Sequence, residues 1–198
     1  MTKQLTGCTG NKLTKMFGAS LGALAMLMVM AVPAEAKTPR VSEILDNNGF
    51  QTLLFALDAT ELTSVLDENR VVLFAPTDDV FEATAEALGC QDVLDLANSL
   101  LNIPVGETNA LAYVLTYHAY LGRLKDDYEV LSAGELLMVS GDTVMTGMDQ
   151  NGLYVKGDLN ETASSIVSGQ LKARKSSSVY AINQILLPID PTGVCDPL

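Results

Sequence analysis

The side chains able to do chemistry in this 198-residue chain are few. His118 is the single histidine, and it continues the apolar stripe Leu111, Val114, Leu115. A histidine on such a stripe either sits buried with its nitrogens hydrogen-bonded or belongs to a partner-binding element, and the periodicity favours burial. Nucleophilic catalysis needs a nucleophile, a base and an orienting group within reach of one another. Here the one base is already committed to an apolar stripe, and no glycine-rich phosphate loop is present. A non-enzymatic protein with no cofactor is expected. Asp149-Gln150-Asn151-Gly152 has the composition of a calcium loop, but an EF-hand needs glycine at its sixth position and glutamate at its twelfth, which here are Tyr154 and Asn160. The segment reads as a hairpin turn, and no metal site is expected.

Two groups could bind a partner without catalysis. Tyr113, Tyr117 and Tyr120 lie close together, either as an exposed aromatic face or as half-buried packing at a helix end. Lys172, Arg174 and Lys175 form the one dense basic cluster. They could dock an anionic polysaccharide or an acidic protein surface, or simply protect an edge strand from aggregation. The candidate partner-binding residues are therefore Tyr117, His118, Lys172, Arg174 and Lys175.

These side chains need a compartment and a scaffold. The chain opens with Lys3, Lys12 and Lys15, continues with an apolar run from Phe17 to Val32, and reaches Ala34-Glu35-Ala36. That is the charged, apolar and small-residue order of a cleavable export signal. The run is shorter than the roughly 20 residues a bilayer span needs, contains Gly18, Ser20 and Gly22, and ends at Pro33, so no stable membrane span is expected. Leu5-Thr6-Gly7-Cys8 spells a lipoprotein-type box but precedes the apolar run, where it cannot act. A secreted or periplasmic location follows.

Removing residues 1–36 leaves 162 residues with 9 basic and 23 acidic side chains, enough chain for one domain with a real core. An acidic excess of that size argues against nucleic acid and anionic membrane as partners. Cys8 leaves with the signal, so Cys90 and Cys195 remain as an even pair in an oxidising compartment, which suggests one disulfide. Such a bridge closes a loop of about 105 residues, for which loop-closure entropy gives about 4 to 5 kcal/mol.

The elements follow from periodicity. Val41, Ile44 and Leu45 begin one helical stripe, and Phe50, Leu53, Leu54 and Leu57 form the next after Asn47-Asn48-Gly49. Asp58 and Glu61 resemble a capping arrangement for another helical turn carrying Leu62, Val65 and Leu66. Val71 to Phe74 is a short, continuous, β-branched run and reads as a buried strand. Thr77 suits the N-cap of a helix running to about Leu88, with Asp78 and Asp79 in its first turn. Val93, Leu96, Ala97 and Leu100 give another helix, and the His118 stripe one more. From Leu121 onward, short apolar runs separated by glycine turns read as strands, the last from Val179 to Leu187. Helices first and strands later argue an α+β domain.

Three blocks give the chain a family resemblance. Val71-Val72-Leu73-Phe74-Ala75-Pro76-Thr77-Asp78-Asp79-Val80-Phe81 resembles the first signature of the fasciclin-like (FAS1) domain. Leu115-Thr116-Tyr117-His118 with Gly122 resembles its Tyr-His element, and Ser178 to Pro188 its closing strand block. The resemblance implies a FAS1-type wedge of β-strands with helices packed over one end, in secreted or surface proteins used for adhesion and for matrix or partner binding. It also implies a rival role, since some relatives are associated with pigments or lipids: a carrier of an apolar small molecule. Three methionines, Met138, Met145 and Met148, remain after the signal, which weakens the rival.

Departures from the pattern narrow the expectation. Ser176-Ser177 stand where the family has Asn-Gly, Tyr180 where it has a second histidine, and Gln170-Leu171 where animal adhesion members carry the Asp-Ile pair of integrin recognition. Integrin-type adhesion is not carried over. The expected organisation is a cleaved signal over 1–36, a linker over 37–40, a FAS1-like domain over 41–188, and a tail over 189–198 tied back by the disulfide. The expected function is a non-enzymatic extracellular or periplasmic binding module for a protein or glycan of the cell surface, matrix or envelope.

Overall fold

A computed structural model describes residues 37–195 except 125, 127–128 and 131–132. The expected export signal and the last three residues of the tail lie outside the described residues. The first third is helical: α1 (Val41–Asn47), α2 (Gln51–Ala59) and α3 (Leu62–Glu68) precede strand β1 (Val71–Pro76), and α4 (Asp78–Ala87), α5 (Val93–Asn102) and α6 (Ala110–Tyr117) follow it. A small ribbon of β2 (Pro104–Val105) and β3 (Thr108–Asn109) separates α5 from α6. The remainder is strands β4 (Ala119–Leu121), β5 (Glu135–Leu137), β6 (Thr143–Asp149), β7 (Gly152–Lys156), β8 (Ser164–Ser165), β9 (Leu171–Lys172) and β10 (Ser178–Ile182).

The strands form two four-stranded sheets, ordered β4-β1-β10-β9 and β5-β6-β7-β8. In the first, β1 and β10 run parallel from Val72 opposite Ser178 to Pro76 opposite Ile182, flanked by antiparallel β4 and β9. Alternation along this central pair divides two cores. Val71, Leu73, Ala75, Val179 and Ala181 face the helices, with Leu45, Leu53, Leu57, Leu111 and Leu115. Val72, Phe74, Tyr180 and Ile182 face the second sheet, with Leu136, Met138, Val144 and Val155. Strands covered on both faces carry unbroken apolar runs, which is why β1 reads as one. The fold is α+β, a wedge of two sheets with the helices gathered against one of them.

Local chemistry departs from expectation at three helix starts or strand ends. The Asp58/Glu61 capping arrangement does not form. Glu61 takes a left-handed φ of 59° before α3, and Asp58 instead accepts from the Thr63 hydroxyl at 2.5 Å. Thr77 stands at the N-cap of α4, but its hydroxyl makes no capping bond. The capping service goes elsewhere, because Asp78 accepts from the Gln51 and Thr52 amides at 3.2 and 2.7 Å and so closes the start of α2, 26 residues earlier. The last strand stops at Ile182, not Leu187. Beyond it the chain leaves the sheet, and side chains take over its backbone hydrogen bonds. Asp149 and Gly152 pair across a two-residue turn, with Gly152 at φ 113°, so the Asp149 segment is a hairpin.

Cys90 and Cys195 are bonded, with Cα atoms 5.0 Å apart and 105 residues between them. The bridge sits in a small apolar cluster with Ala85, Leu96, Val93 and Val194, so it fastens the tail beside α4 and α5. Cys195→Ser is expected to lower stability by about 2 to 5 kcal/mol in denaturant unfolding. An unfolding midpoint unchanged by this substitution, or by reductant, contradicts a stabilising bridge.

Candidate functional site

Helix α6 starts under Asn109, whose side chain accepts from the Ala112 amide at 2.9 Å, and buries Leu111, Val114 and Leu115. Its register carries Tyr117 and His118 inward together, 0% and 2% exposed. The His118 Nδ1 lies 2.7 Å from the Val114 carbonyl, which can only accept, so Nδ1 carries the proton. Nε2 is then free to accept from the Leu186 amide at 2.9 Å. Burial pushes the imidazole pKa from 6.5 down to about 4, the Val114 contact opposing only in part. His118 is a neutral clamp on the segment after β10.

The same segment is held from the other side. Asn160 donates to the Ile185 carbonyl and accepts from the Leu187 amide, both at 2.8 Å, and the Ser164 hydroxyl accepts from the Gln184 amide at 3.0 Å. Asn160 is 9% exposed, and its side-chain amide is committed to this segment at both its nitrogen and its oxygen. The Tyr117 hydroxyl donates to the Thr143 carbonyl at 2.9 Å and accepts from the Asp158 amide at 3.0 Å, and burial raises its pKa. Gly157 must be glycine here, since a Cβ would fall 2.6 Å from Asn160 Oδ1 and 3.0 Å from the Tyr117 ring.

These contacts correct two expected binding residues. Tyr117 and His118 present no surface to a partner, because both are consumed in holding the backbone. The tyrosines do not form one aromatic face either. Tyr113 donates to Asp142 at 2.6 Å, a bond that raises its own pKa, while Tyr120 packs against the second core. Tyr180, standing where a histidine was the family pattern, is fully buried and stacks on Phe74 with ring centroids 6.0 Å apart.

Lys172, Arg174 and Lys175 are exposed, at and just beyond edge strand β9. The tip joining β9 to β10 is closed by Ser177 donating to the Arg174 carbonyl at 3.0 Å, around Lys175 at φ 56° and Ser176 at φ 63°. Two successive left-handed residues make the turn that favours Asn-Gly. The pair lies one residue earlier than Ser176-Ser177. Ser177 instead has φ −75° and spends its hydroxyl accepting from the Val71 amide and donating to the Asn69 carbonyl.

The tertiary structure adds cations that the sequence cluster lacks. Arg70 donates through Nε to the Lys175 carbonyl at 3.0 Å, and the Arg174 amide donates to the Pro39 carbonyl at 2.8 Å, tying the N-terminal linker to the tip. Lys37 and Arg40 thereby share one concavity with Arg174 and Lys175, and Arg123 shares another with Lys172, Arg174 and Lys175. Seven of the eight described cations meet at this end; Lys156 is the exception. No signal in sequence spacing links residues 37, 40, 70 and 123 to 172–175.

An apolar slot lies apart from this end, between α2, α4, α5, α6 and the segment after β10. It has a free volume of about 50 Å³ and is lined by side chains such as Leu53, Phe81, Leu96, Leu111, Leu187 and Ile189. Among the described residues no helix is long and apolar enough to cross a membrane. Among the described residues the one cluster with metal-ligand geometry is Cys90, Asp95 and Cys195, whose two sulfurs are bonded to each other.

Two expected outcomes test this site. Between pH 6.5 and about 4 the unfolded chain binds a proton that native His118 refuses, so stability present above pH 6.5 falls as the pH falls. The loss is on the order of 3 kcal/mol, complete near pH 4, and His118→Gln should remove that part of the wild-type slope in denaturant titrations. A wild-type and variant slope that coincide contradict a buried neutral imidazole. Ser176→Gly relieves one left-handed residue and should raise stability by about 0.5 to 1 kcal/mol, read as a shift in unfolding midpoint.

Similarity to known proteins agrees with this architecture. A FAS1 domain pair from the insect cell adhesion molecule Fasciclin I is similar in fold, with a TM-score of 0.52 at 12% identity over 71% of this chain and 46% of that one. The chain thus spans about half the length of that structure. No curated protein sequence matches it. The Fasciclin domain family model matches residues 48–188, well over half of the chain, and the protein belongs to the fasciclin domain family.

Proposed function

We propose that this protein is a non-enzymatic binding module, secreted or periplasmic, that engages a protein or glycan of the cell surface, matrix or envelope through its basic end. In this reading residues 1–36 are removed on export and residues 41–188 act as one domain. Membership of a family often concerned with adhesion supports a general binding role. The observation that carries the assignment to this end is the gathering of Lys37, Arg40, Arg70, Arg123, Lys172, Arg174 and Lys175 on a chain of formal net charge −12. Edge-strand protection accounts for Lys172 on β9, but not for cations arriving from the linker, from before β1 and from after β4. His118, neutral and spent on two backbone groups, is unavailable as a catalytic base.

The alternative, a carrier of a lipid or pigment, has the apolar slot in its favour. Its free volume of about 50 Å³ is small beside the roughly 300 to 1,000 Å³ of ordinary ligand sites, so a carrier would have to displace Ile189 and the tail fastened by Cys195. Organic extraction of protein from its native host is expected to give no bound apolar compound. The intact protein should be retained by its host's envelope or extracellular polymer, and Arg123→Ser/Lys172→Ser/Arg174→Ser should lose retention without a change in melting temperature. Equal retention of variant and wild type removes the basic end from the interaction.

A further inference from the structure

The basic end is built as a groove, and its lining indicates what fits it. One concavity, of about 320 Å³, is lined by Arg123, Lys172, Arg174 and Lys175 together with Thr38, Gln170 and Ser176, and has no carboxylate in its wall. An adjoining one, of about 660 Å³, is lined by Lys37, Arg40, Arg174 and Lys175 with a single carboxylate, Glu43; the acidic Asp58, Glu61, Asp67 and Glu68 lie in a separate concavity that Arg40, Arg174 and Lys175 also line. The first two share Thr38, Arg174 and Lys175, so one continuous cationic path runs past the point where the linker is bonded to the tip. The side chains of Lys37, Arg123, Lys172 and Arg174 have no hydrogen-bond or ion-pair partner among the described residues, whereas Lys175 already donates to the Glu68 carbonyl. Four charged donors are thus unspent along the path. The turn that presents Arg174 is held in a left-handed conformation at two non-glycine residues, the kind of local cost that recurs at binding sites.

The chemistry separates the possible occupants. Protein interfaces are anchored by aromatic and large apolar side chains, and the apolar residues of the first concavity, Leu124 and Ala173, are buried. Single-stranded nucleic acid needs aromatic faces for stacking, and neither concavity supplies one. A flat anionic membrane would meet the acidic remainder of the domain, whereas a thin hydrophilic chain can lie along the groove alone. We infer that the groove between the N-terminal linker and the β9–β10 tip binds a linear anionic polysaccharide, its carboxylate or sulfate groups paired with Arg123, Lys172, Arg174 and Lys37 and its hydroxyls with Thr38 and Ser176. This inference rests on the proposed use of the basic end, and narrows it to one ligand class.

The test titrates the intact protein with a polyuronate such as alginate, a sulfated polymer such as dextran sulfate, and neutral dextran. Binding to one or both anionic polymers and none to neutral dextran is expected, the two anionic arms deciding between carboxylate and sulfate. Affinity should fall at least about tenfold in Arg123→Ser/Lys172→Ser/Arg174→Ser, and steeply with added salt as counterion release requires. Lys156→Ser, which removes a cation outside the groove, should change nothing. No binding to either polyanion at low salt overturns the inference, and so does equal loss in the Lys156 variant. Self-association of the wild type that the triple substitution abolishes, without polyanion binding, assigns the groove to a second copy and likewise overturns it. If envelope retention still depends on the groove while both polymers fail, only the ligand class is lost; if retention is groove-independent, the broader reading falls too.

Discussion

The parallel pairing of β1 with β10 is the constraint on which the rest of this protein depends. It joins Val72 to Ser178 and Pro76 to Ile182, and everything between them is in effect one long crossover. Parallel neighbours cannot be joined by a tight turn, so the intervening chain must leave the sheet and return. Here it leaves as helices that cover one face and returns through a second sheet that covers the other. The alternation of Val71, Leu73 and Ala75 against Val72 and Phe74 lets a single strand serve both cores. Burying each such side chain contributes about 1.5 to 3 kcal/mol, so a polar substitution on either face would affect both halves of the domain.

That arrangement creates a polar problem after β10. The chain turns out of the sheet at Ile182 yet remains buried at Leu186, which is fully enclosed. Its amides and carbonyls still need partners, because an unsatisfied buried group costs about 1 to 3 kcal/mol. His118 supplies them from one distant point of the chain, and Asn160 and Ser164 from another. The Tyr-His element is thereby explained without a ligand: Tyr117 braces the second sheet and the 158 loop, and His118 fixes the closing segment. Residues whose types suggest chemistry are here occupied with folding.

The charge distribution over the surface is uneven. A chain with twice as many acidic as basic side chains places nearly all its described cations at one end. The linker, the residue before β1, the loop after β4 and the β9–β10 tip each contribute. Their meeting depends on backbone contacts such as Arg174 to Pro39 and Arg70 to Lys175. An acidic body with a basic end is well suited to orient itself on a polyanion while being repelled everywhere else.

Composition and local pattern were enough for the acidic class, the six helical stripes, the buried run at Val71, the hairpin at Asp149, the candidate disulfide and the family resemblance. Each of these depends on residues near one another in sequence, or on a count. The apolar stripe at Leu111 also favoured burial of His118, because a period of 3.6 assigns a face. What the helix pattern could not supply was the partner of each polar group. Asp78 caps α2 and not its own helix, the strand from Val179 ends five residues early, and Tyr117 is buried by a loop 41 residues away. Likewise Lys172, Arg174 and Lys175 were visible as a triplet, but Lys37, Arg40, Arg70 and Arg123 joined them only when β1 and β10 were paired. Periodicity decides which side of an element faces inward, whereas hydrogen-bond partners and charge clusters depend on which elements meet, and only the long-range pairing of the chain decides that.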